Sequence, residues 1–315
     1  MANEARAATI GSQPELPLTD VATVLERLRW MRQEDIWPNG LRYLWTDAFG
    51  VVLLVSLYQT LGDSRHLAEA EWVVAEVERV LGRPRGLRIG EEPDRDGQYF
   101  HYLAMWMYAL HRLGQVKPEY AERGIDLVRA VHPRFVVPGV GVIWKMREDL
   151  SGPAHGFGLG ALDPFHGYVV YRMLAPEALA SEIADMRTLI ERSWHDLVIT
   201  QDLGLGVMLW MTHFFPAEEW AVAHRARALR VLDHLWMDQP GYFCRDLNLE
   251  SVKFAFTNYG VSIGLQAVGL WADRVRRVND FFAGYRSGDE YDRNAITHVM
   301  GCTSHFPGEL ITAPG

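Results

Sequence analysis

Five stretches of this chain share one form: a polar residue, usually Asp, stands beside Gly or an aromatic and opens a run almost without charge. They are Asp47-Ala-Phe-Gly50 into 51–61, Asp96-Gly97-Gln98-Tyr99 into 100–110, Asp163-Pro-Phe-His166-Gly167 into 168–174, Asp202-Leu-Gly204 into 205–215, and Asn258-Tyr259-Gly260 into 261–272. A helix that is apolar on every face must be covered on every face, so it belongs in an interior. Several such helices in one chain need a second layer of helices around them.

The sequence supplies that layer. In 64–81, Leu67, Ala70, Val74, Val77 and Leu81 repeat at three and four residues, with Glu69, Glu71, Glu76, Glu78 and Arg79 between them. That is the stripe of a one-faced surface helix. Leu179, Ile183, Met186, Ile190 and Trp194 make the same stripe in 176–194, and similar helices are drawn at 19–33, 118–132, 216–237 and 272–286. Pro118, Pro176 and Pro216 stand where a first-turn proline is tolerated. With a last inner helix at 291–300, six amphipathic outer helices alternate with six inner ones. The expected fold is all-α: an (α/α)6 barrel of six helical hairpins, one domain over 19–310 behind a flexible N-terminal arm at 1–18.

Links from inner to outer helices are short, as at Gly62-Asp63 and 114–117, whereas links from outer to inner helices are long: 34–46, 82–95, 133–162 and 238–257. Within them, 135–137 with 140–144 and 242–245 with 252–256 read as short β-hairpins around turn residues. The long loops therefore gather at one end of the barrel, where the inner helices begin. Loops carried on a rigid scaffold are where function concentrates.

Asp47, Asp96, Asp163 and Asp202 all fall at that end. Each is a good helix N-cap, and four acids converging on one mouth also suit general acid/base work, because neighbouring carboxyls in a dry cleft are driven to different pKa values. Asp47, Asp96 and Asp163 are the catalytic candidates. His101 and His166 follow such aspartates by a few residues and titrate in the range that suits proton transfer. Trp45, Tyr99, Trp144 and Tyr259 could stack on a ring or pack in the core. Arg147, in Lys145-Met-Arg147, could hold a carboxylate, and Asp202, Asn258 and His298 complete the expected binding set. Gly260-Val-Ser262-Ile-Gly264 matches a nucleophile elbow in letters, but the sheet that motif needs is missing from the pattern, and the residues read as a close helix contact instead.

Basic residues number 31 against 40 acidic, and no Lys/Arg stripe is present, so nucleic acid is not an expected partner. Cys244 and Cys302 form no CxxC pair, and no HExxH occurs, so neither a metal nor another cofactor is expected. Residues 1–17 lack the apolar segment of a signal peptide, and the longest apolar run falls short of a membrane span; no membrane is expected and the cytoplasm is the expected compartment. The expected partner is a small-molecule substrate, bound by the chain alone or as a homo-oligomer.

Asp-Gly-Gln-Tyr-Phe-His-Tyr at 96–102 and Trp-Thr-Asp-Ala-Phe at 45–49, each opening an inner helix in six alternating hairpins, resemble the six-hairpin (α/α)6 toroid enzymes, among them unsaturated glucuronyl hydrolases and N-acylglucosamine 2-epimerases. Leu57-Tyr58-Gln59 with Glu92-Pro93-Asp94 is similar to segments of linalool dehydratase/isomerase. The first resemblance implies an enzyme acting on a carbohydrate or polyol as a glycosidase or an epimerase. The second implies a dehydratase/isomerase of an apolar alcohol. A non-catalytic binding protein on the same fold is the third reading.

Overall fold

The computed structural model describes residues 15–237, 242–245 and 255–313. Among the described residues are twelve α-helices: α1 (Val21–Gln33), α2 (Leu44–Leu61), α3 (Ser64–Leu81), α4 (Phe100–Gly114), α5 (Pro118–Phe135), α6 (Asp163–Leu174), α7 (Ala180–Ser193), α8 (Asp202–Phe214), α9 (Glu219–Met237), α10 (Phe256–Ala267), α11 (Ala272–Gly284) and α12 (Ala295–His305). The even-numbered helices form the inner ring: α2 packs on α4, α4 on α6, and so on until α12 packs back on α2. Each inner helix is covered by the odd-numbered helix that follows it. Among the described residues no α-helix follows α12, and α1 covers it instead. This is the expected (α/α)6 barrel, with the first helix of the chain paired to the last.

That closure is hydrogen-bonded. Asp20 caps α1 by accepting the Thr23 N–H (3.1 Å), while its own N–H donates to the His305 carbonyl at the end of α12 (3.1 Å). Residues 15–18, the described end of the expected flexible arm, are likewise held. The Leu18 N–H donates to Gln266 Oε1 (2.8 Å), and Leu16 and Leu18 pack on an apolar cluster around Leu205 and Leu232. The rest of that arm lies outside the described residues.

The two layers differ as the sequence pattern requires. Residues 44–57 of α2 are buried without interruption, whereas α3 buries a single stripe that includes Leu67, Ala70, Val74, Val77 and Leu81. By length and composition α2 could cross a membrane, but 78% of it is buried inside the ring, which accounts for its apolarity. The turn between the two is short because Gly62 takes a left-handed φ of +69°, its N–H closing on the Tyr58 carbonyl (2.8 Å). Asp63 then caps α3 through the Arg65 N–H (3.0 Å).

Several boundaries move. The chain turns at 176–179, and α7 and α9 begin three to four residues after the prolines expected to start them. The helix expected at 291–300 is a 3-10 turn, Glu290–Arg293, followed by α12, because Asn294 interrupts the chain and caps the new helix through the Ile296 N–H (3.2 Å). The first expected hairpin is present: β2 (Val136–Val137) pairs antiparallel with β3 (Gly141–Val142). An unanticipated second pairing joins β1 (Gln98–Tyr99) to β4 (Lys145–Met146) and ties the long loop to the start of α4. Of the other expected hairpin, 252–254 lie outside the described residues; 242–245 are bends and Phe256 already belongs to α10.

Side chains fill the barrel axis. Phe49, Met105, Trp210, Ile263, Met300 and Leu310 leave a void of only about 20 Å³. The far end is stopped by the segment after α12, so the packed unit runs past the expected limit at 310. Trp210 Nε1 and the Tyr108 hydroxyl both donate to the Leu310 carbonyl (2.8 and 2.9 Å), His213 Nε2 meets the Ile311 carbonyl (2.7 Å), and Arg112 pairs with Glu309 (2.5 Å).

The closest helix contact in the ring is between α8 and α10. A Cβ on Gly206 would lie 2.3 Å from the Gly260 carbonyl oxygen, and one on Gly264 would lie 2.3 Å from that of Gly206. Ser262, between the two α10 glycines, is buried and hydrogen-bonded to Ser304 Oγ (2.7 Å), so the elbow-like motif is a packing joint. Backbone cannot step aside as a flexible side chain can, so Gly206→Ala is expected to cost about 1–3 kcal/mol. Urea unfolding measures this; an unchanged midpoint would mean the joint has slack.

Candidate active site

The four mouth aspartates have four different fates. Asp47 lies inside the first turn of α2 and is fully buried. Oδ1 accepts from Trp37 Nε1 (3.0 Å) and Arg42 Nη1 (3.1 Å), and Oδ2 from the Tyr43 N–H (3.2 Å). Burial raises its pKa to about 6, against the opposing pull of Arg42 and these hydrogen bonds. Both oxygens are committed to protein donors, so Asp47, expected as an acid/base group, anchors the 37–43 loop instead. Asp96 does not open a helix, since β1 intervenes before α4. Its exposed carboxylate receives Lys145 Nζ (2.9 Å), and that ammonium lies over the rings of Tyr99 (5.5 Å) and Phe157 (5.1 Å). Asp202 opens α8 and accepts from Asn258 Nδ2 on α10 (3.1 Å) and from the Leu203 N–H (2.8 Å). The expected binding residues Asp202 and Asn258 thus form a buried joint between neighbouring inner helices.

Asp163 is different. It is the first residue of α6, 2% exposed, and Oδ2 has no hydrogen-bond partner. Oδ1 lies 3.8 Å from His101 Nδ1, beyond hydrogen-bond reach. Burial alone pushes its pKa well above the usual carboxylate range, with no cation to oppose it, which favours the protonated form. Gly160 makes the space: a Cβ there would lie 1.9 Å from Oδ2.

His101, second in α4, is held on several sides. Nδ1 accepts from Trp144 Nε1 (3.2 Å), which leaves the ring proton on Nε2. Tyr102 meets the imidazole edge-on (4.7 Å), Trp144 is stacked along it (6.2 Å), and Tyr99 and Trp45 lie 5.2 and 5.9 Å away. Trp45 reaches on to Met300 Sδ (3.4 Å), joining the cluster to the filled axis. His166, on the first turn of α6, is 1% exposed, meets Trp210 edge-on (5.7 Å), and has no partner at Nε2. Burial pushes both imidazoles down to about 3, with His101 adding to the effect on His166. The group therefore combines a buried carboxyl of raised pKa with two neutral imidazoles, His101 among the mouth aromatics and His166 against Trp210.

Six expected residues thus come together: Trp45, Tyr99, His101, Trp144, Asp163 and His166. Arg147 does not join them; it is exposed on a turn closed by its N–H on the Gly152 carbonyl (3.0 Å). Tyr259 and His298 lie elsewhere, on a cavity between α1, α11 and α12. Tyr102 and Tyr43 were missed, although Tyr102 follows Tyr99 by three residues. Their hydroxyls are hydrogen-bonded to each other. Tyr43 also borders an open basin of about 790 Å³ at the mouth, together with Thr46, Arg95, Tyr242, Phe256 and Asn294. The Thr46 hydroxyl is another buried polar group without a partner. Among the described residues no three His, Cys, Asp or Glu side chains gather as metal ligands. Glu92-Pro93-Asp94 is exposed at this end, whereas Tyr58 and Gln59 fall at the far end of α2, about 20 Å along its axis, so the two segments likened to linalool dehydratase/isomerase do not form one site.

No protein-family model and no curated protein sequence matches the chain. Solved structures do. The GH76 α-mannanase of Bacteroides thetaiotaomicron superposes with a TM-score of 0.65 at 10% identity over 91% of this chain and 96% of that one. An inactive variant of the α-1,6-mannanase of Salegentibacter sp. HEL1_6, with two adjacent aspartates changed to asparagine and α-1,6-mannotriose bound, gives 0.59 at 12% identity, covering 91% of this chain and 99% of that one. An unsaturated glucuronyl hydrolase specific for heparin gives 0.51 at 9%, covering 83% and 85%. These neighbours share the (α/α)6 toroid architecture with this chain.

The assignment of Asp47 to structure carries a measurable cost. Asp47→Ala leaves Arg42 buried without its counter-charge and Trp37 Nε1 without an acceptor. It should lower unfolding free energy by about 3–5 kcal/mol, the range for breaking a buried pair. A loss below about 1 kcal/mol in urea titration would return Asp47 to the list of functional acids.

Proposed function

We propose that this chain is an enzyme that moves protons on a carbohydrate or related polyol, with Asp163 as the general acid and His101 and His166 as the imidazoles that take and return the proton. One observation carries the reading: Asp163 Oδ2 and His166 Nε2 are buried polar atoms without partners, and both residues lie near His101, Asp163 with its other oxygen 3.8 Å from Nδ1 and His166 close enough to feel the charge of that imidazole. Leaving a buried donor or acceptor unsatisfied costs about 1–3 kcal/mol, so such a group calls for an ordered water, a ligand or a chemical role. The stacked pair Tyr99 and Trp144 (5.6 Å) offers flat faces of the kind that pack against the C–H side of a sugar ring. The toroid neighbours that act on mannans and glucuronides are consistent with this substrate class.

Between hydrolysis and epimerisation, the geometry favours proton transfer at carbon. Hydrolysis uses two carboxyl groups flanking one glycosidic bond. The cluster has one, since Asp47 and Asp202 are consumed by internal hydrogen bonds and Asp96 is held at the rim by Lys145. The sequence also contains no two adjacent aspartates, unlike the mannanase whose paired replacement accompanies inactivity. One neutral imidazole can take the proton from the carbon beside a sugar carbonyl while Asp163 donates to the carbonyl oxygen; the imidazolium so formed passes its proton to the second imidazole, which returns a proton on the other face as Asp163 recovers its own from the enol hydroxyl.

The test is turnover of reducing sugars in D2O, followed by NMR. Deuterium should appear at the carbon beside the anomeric centre together with the epimer, and Asp163→Asn, His101→Gln and His166→Gln should each lower the rate by about 10²-fold or more. Cleavage of oligosaccharides without label at carbon would replace epimerase by glycosidase. Asp163 also gives a pH signature independent of substrate. The unfolded chain releases this proton near 3.8, whereas the fold retains it to higher pH. Folding therefore takes up a proton, and stability falls as pH rises from about 4 until Asp163 ionises in the fold as well. The Tm advantage of Asp163→Asn over the parent should widen between pH 4 and pH 8; a constant difference would mean that Asp163 is ionised in the fold.

A further inference from the structure

Across the ring from α6, a cavity of about 500 Å³ opens between α1, α11 and α12, within the size range of small-molecule sites. Trp30, Tyr259 and Phe282 supply aromatic walls, and Arg27, Arg286 and His298 supply polar groups. Arg27 is partly buried, and the Tyr259 hydroxyl is its side-chain partner; no carboxylate pairs with it among the described residues. Its guanidinium is admitted by Gly301 of α12, where a Cβ would lie 2.4 Å from Nη1. The nearby acids are spoken for or turned away. Asp292 accepts from the Ser287 N–H (2.7 Å) and the Gly288 N–H (2.8 Å), and Glu26 is exposed. Arg286 donates to the Ala283 and Tyr285 carbonyls and lies near enough to Asp292 to help lower its pKa, but among the described residues no carboxylate is within ion-pair distance of it. His298, pushed down to about 4 by burial, is neutral and donates from Nε2 to the Asp292 carbonyl (2.8 Å).

We propose that this cavity is a second ligand site, separate from the Asp163 cluster, and that it takes a small ring compound carrying one carboxylate or phosphate, with the anion on Arg27 and the ring between Trp30, Tyr259 and Phe282. A guanidinium matches the two oxygens of either anion with a pair of parallel N–H donors, and a sparsely paired cation in a partly dry pocket gains most from such a partner. Aromatic walls select for a flat or ring-shaped body over a bare ion. Tyr259 and His298, placed by sequence at the catalytic mouth, have their role here.

Titration calorimetry with glucuronate and glucose 6-phosphate at constant ionic strength, with glucose and inorganic phosphate as controls, tests the assignment and separates carboxylate from phosphate. At least one charged sugar should bind saturably and more tightly than either control. Arg27→Met should weaken it about tenfold or more, and Gly301→Ala, which displaces the guanidinium without altering charge, should weaken it in the same direction. Asp163→Asn should bind as the parent does, which keeps this result independent of the proposed reaction. Should Arg27→Met fail to fold, Gly301→Ala with Arg27→Lys carries the test. The proposal is overturned if neither charged sugar binds, if binding survives both cavity substitutions, or if Asp163→Asn abolishes it and so moves the ligand to the mouth.

Discussion

Everything in this molecule depends on inner helices being sealed on all sides. A helix buried over consecutive residues, as α2 is from Leu44 to Leu57, tolerates no gap beside it, since each void forfeits contacts that nothing else replaces. The ring meets this demand at its tightest point with glycines, where Gly206 lies between Gly260 and Gly264 and backbone touches backbone. At its seam it uses the chain's first helix to cover its last. The Asp20–His305 contacts across that seam mean that the ring is complete only when residues far apart in sequence have met, so the barrel is closed by its most non-local pairing.

Two buried aspartates at the same end show how environment decides the role of one residue type. Asp47 has a guanidinium, an indole N–H and a backbone N–H around its oxygens, and burial still raises its pKa. Asp163 has none of these, so neutralisation by its own proton is the only relief available. The first is an ion pair that positions a loop. The second is a buried carboxyl of raised pKa with no partner on Oδ2, 3.8 Å from His101, and that contrast, more than the number of acids at the mouth, sets the two environments apart.

The alternation of helix types was legible because it is written in every residue: one-sided stripes differ from uniform apolarity whatever the exact helix ends. Side-chain direction at the mouth was not, because each residue added at a helix start turns the next by about 100°. The sequence pattern placed Asp47 ahead of its helix; α2 begins at Leu44, so Asp47 sits a turn inside and faces Arg42 and Trp37. Asp96 reads as a helix opener because the two-residue strand at Gln98 and Tyr99 has no periodicity, and its partner, Lys145 and Met146, is far along the chain. Asp163, His101 and His166 do come near one another, because Asp163 begins α6 and both histidines fall in first turns. Tyr259 and His298 escaped the expected site because one α10 turn carries residues toward different neighbours: Asn258 meets α8, and Tyr259 meets Phe282 on α11.

The segment that stops the far end has a consequence for traffic. Carbonyls of Leu310 and Ile311 are held by Trp210, Tyr108 and His213, and the axis above them is filled. The barrel is therefore a cup rather than a pipe, and a molecule that enters at its rim must leave by the way it arrived. Arriving and departing molecules then share one doorway, so a bound molecule must vacate the rim before the next can be seated.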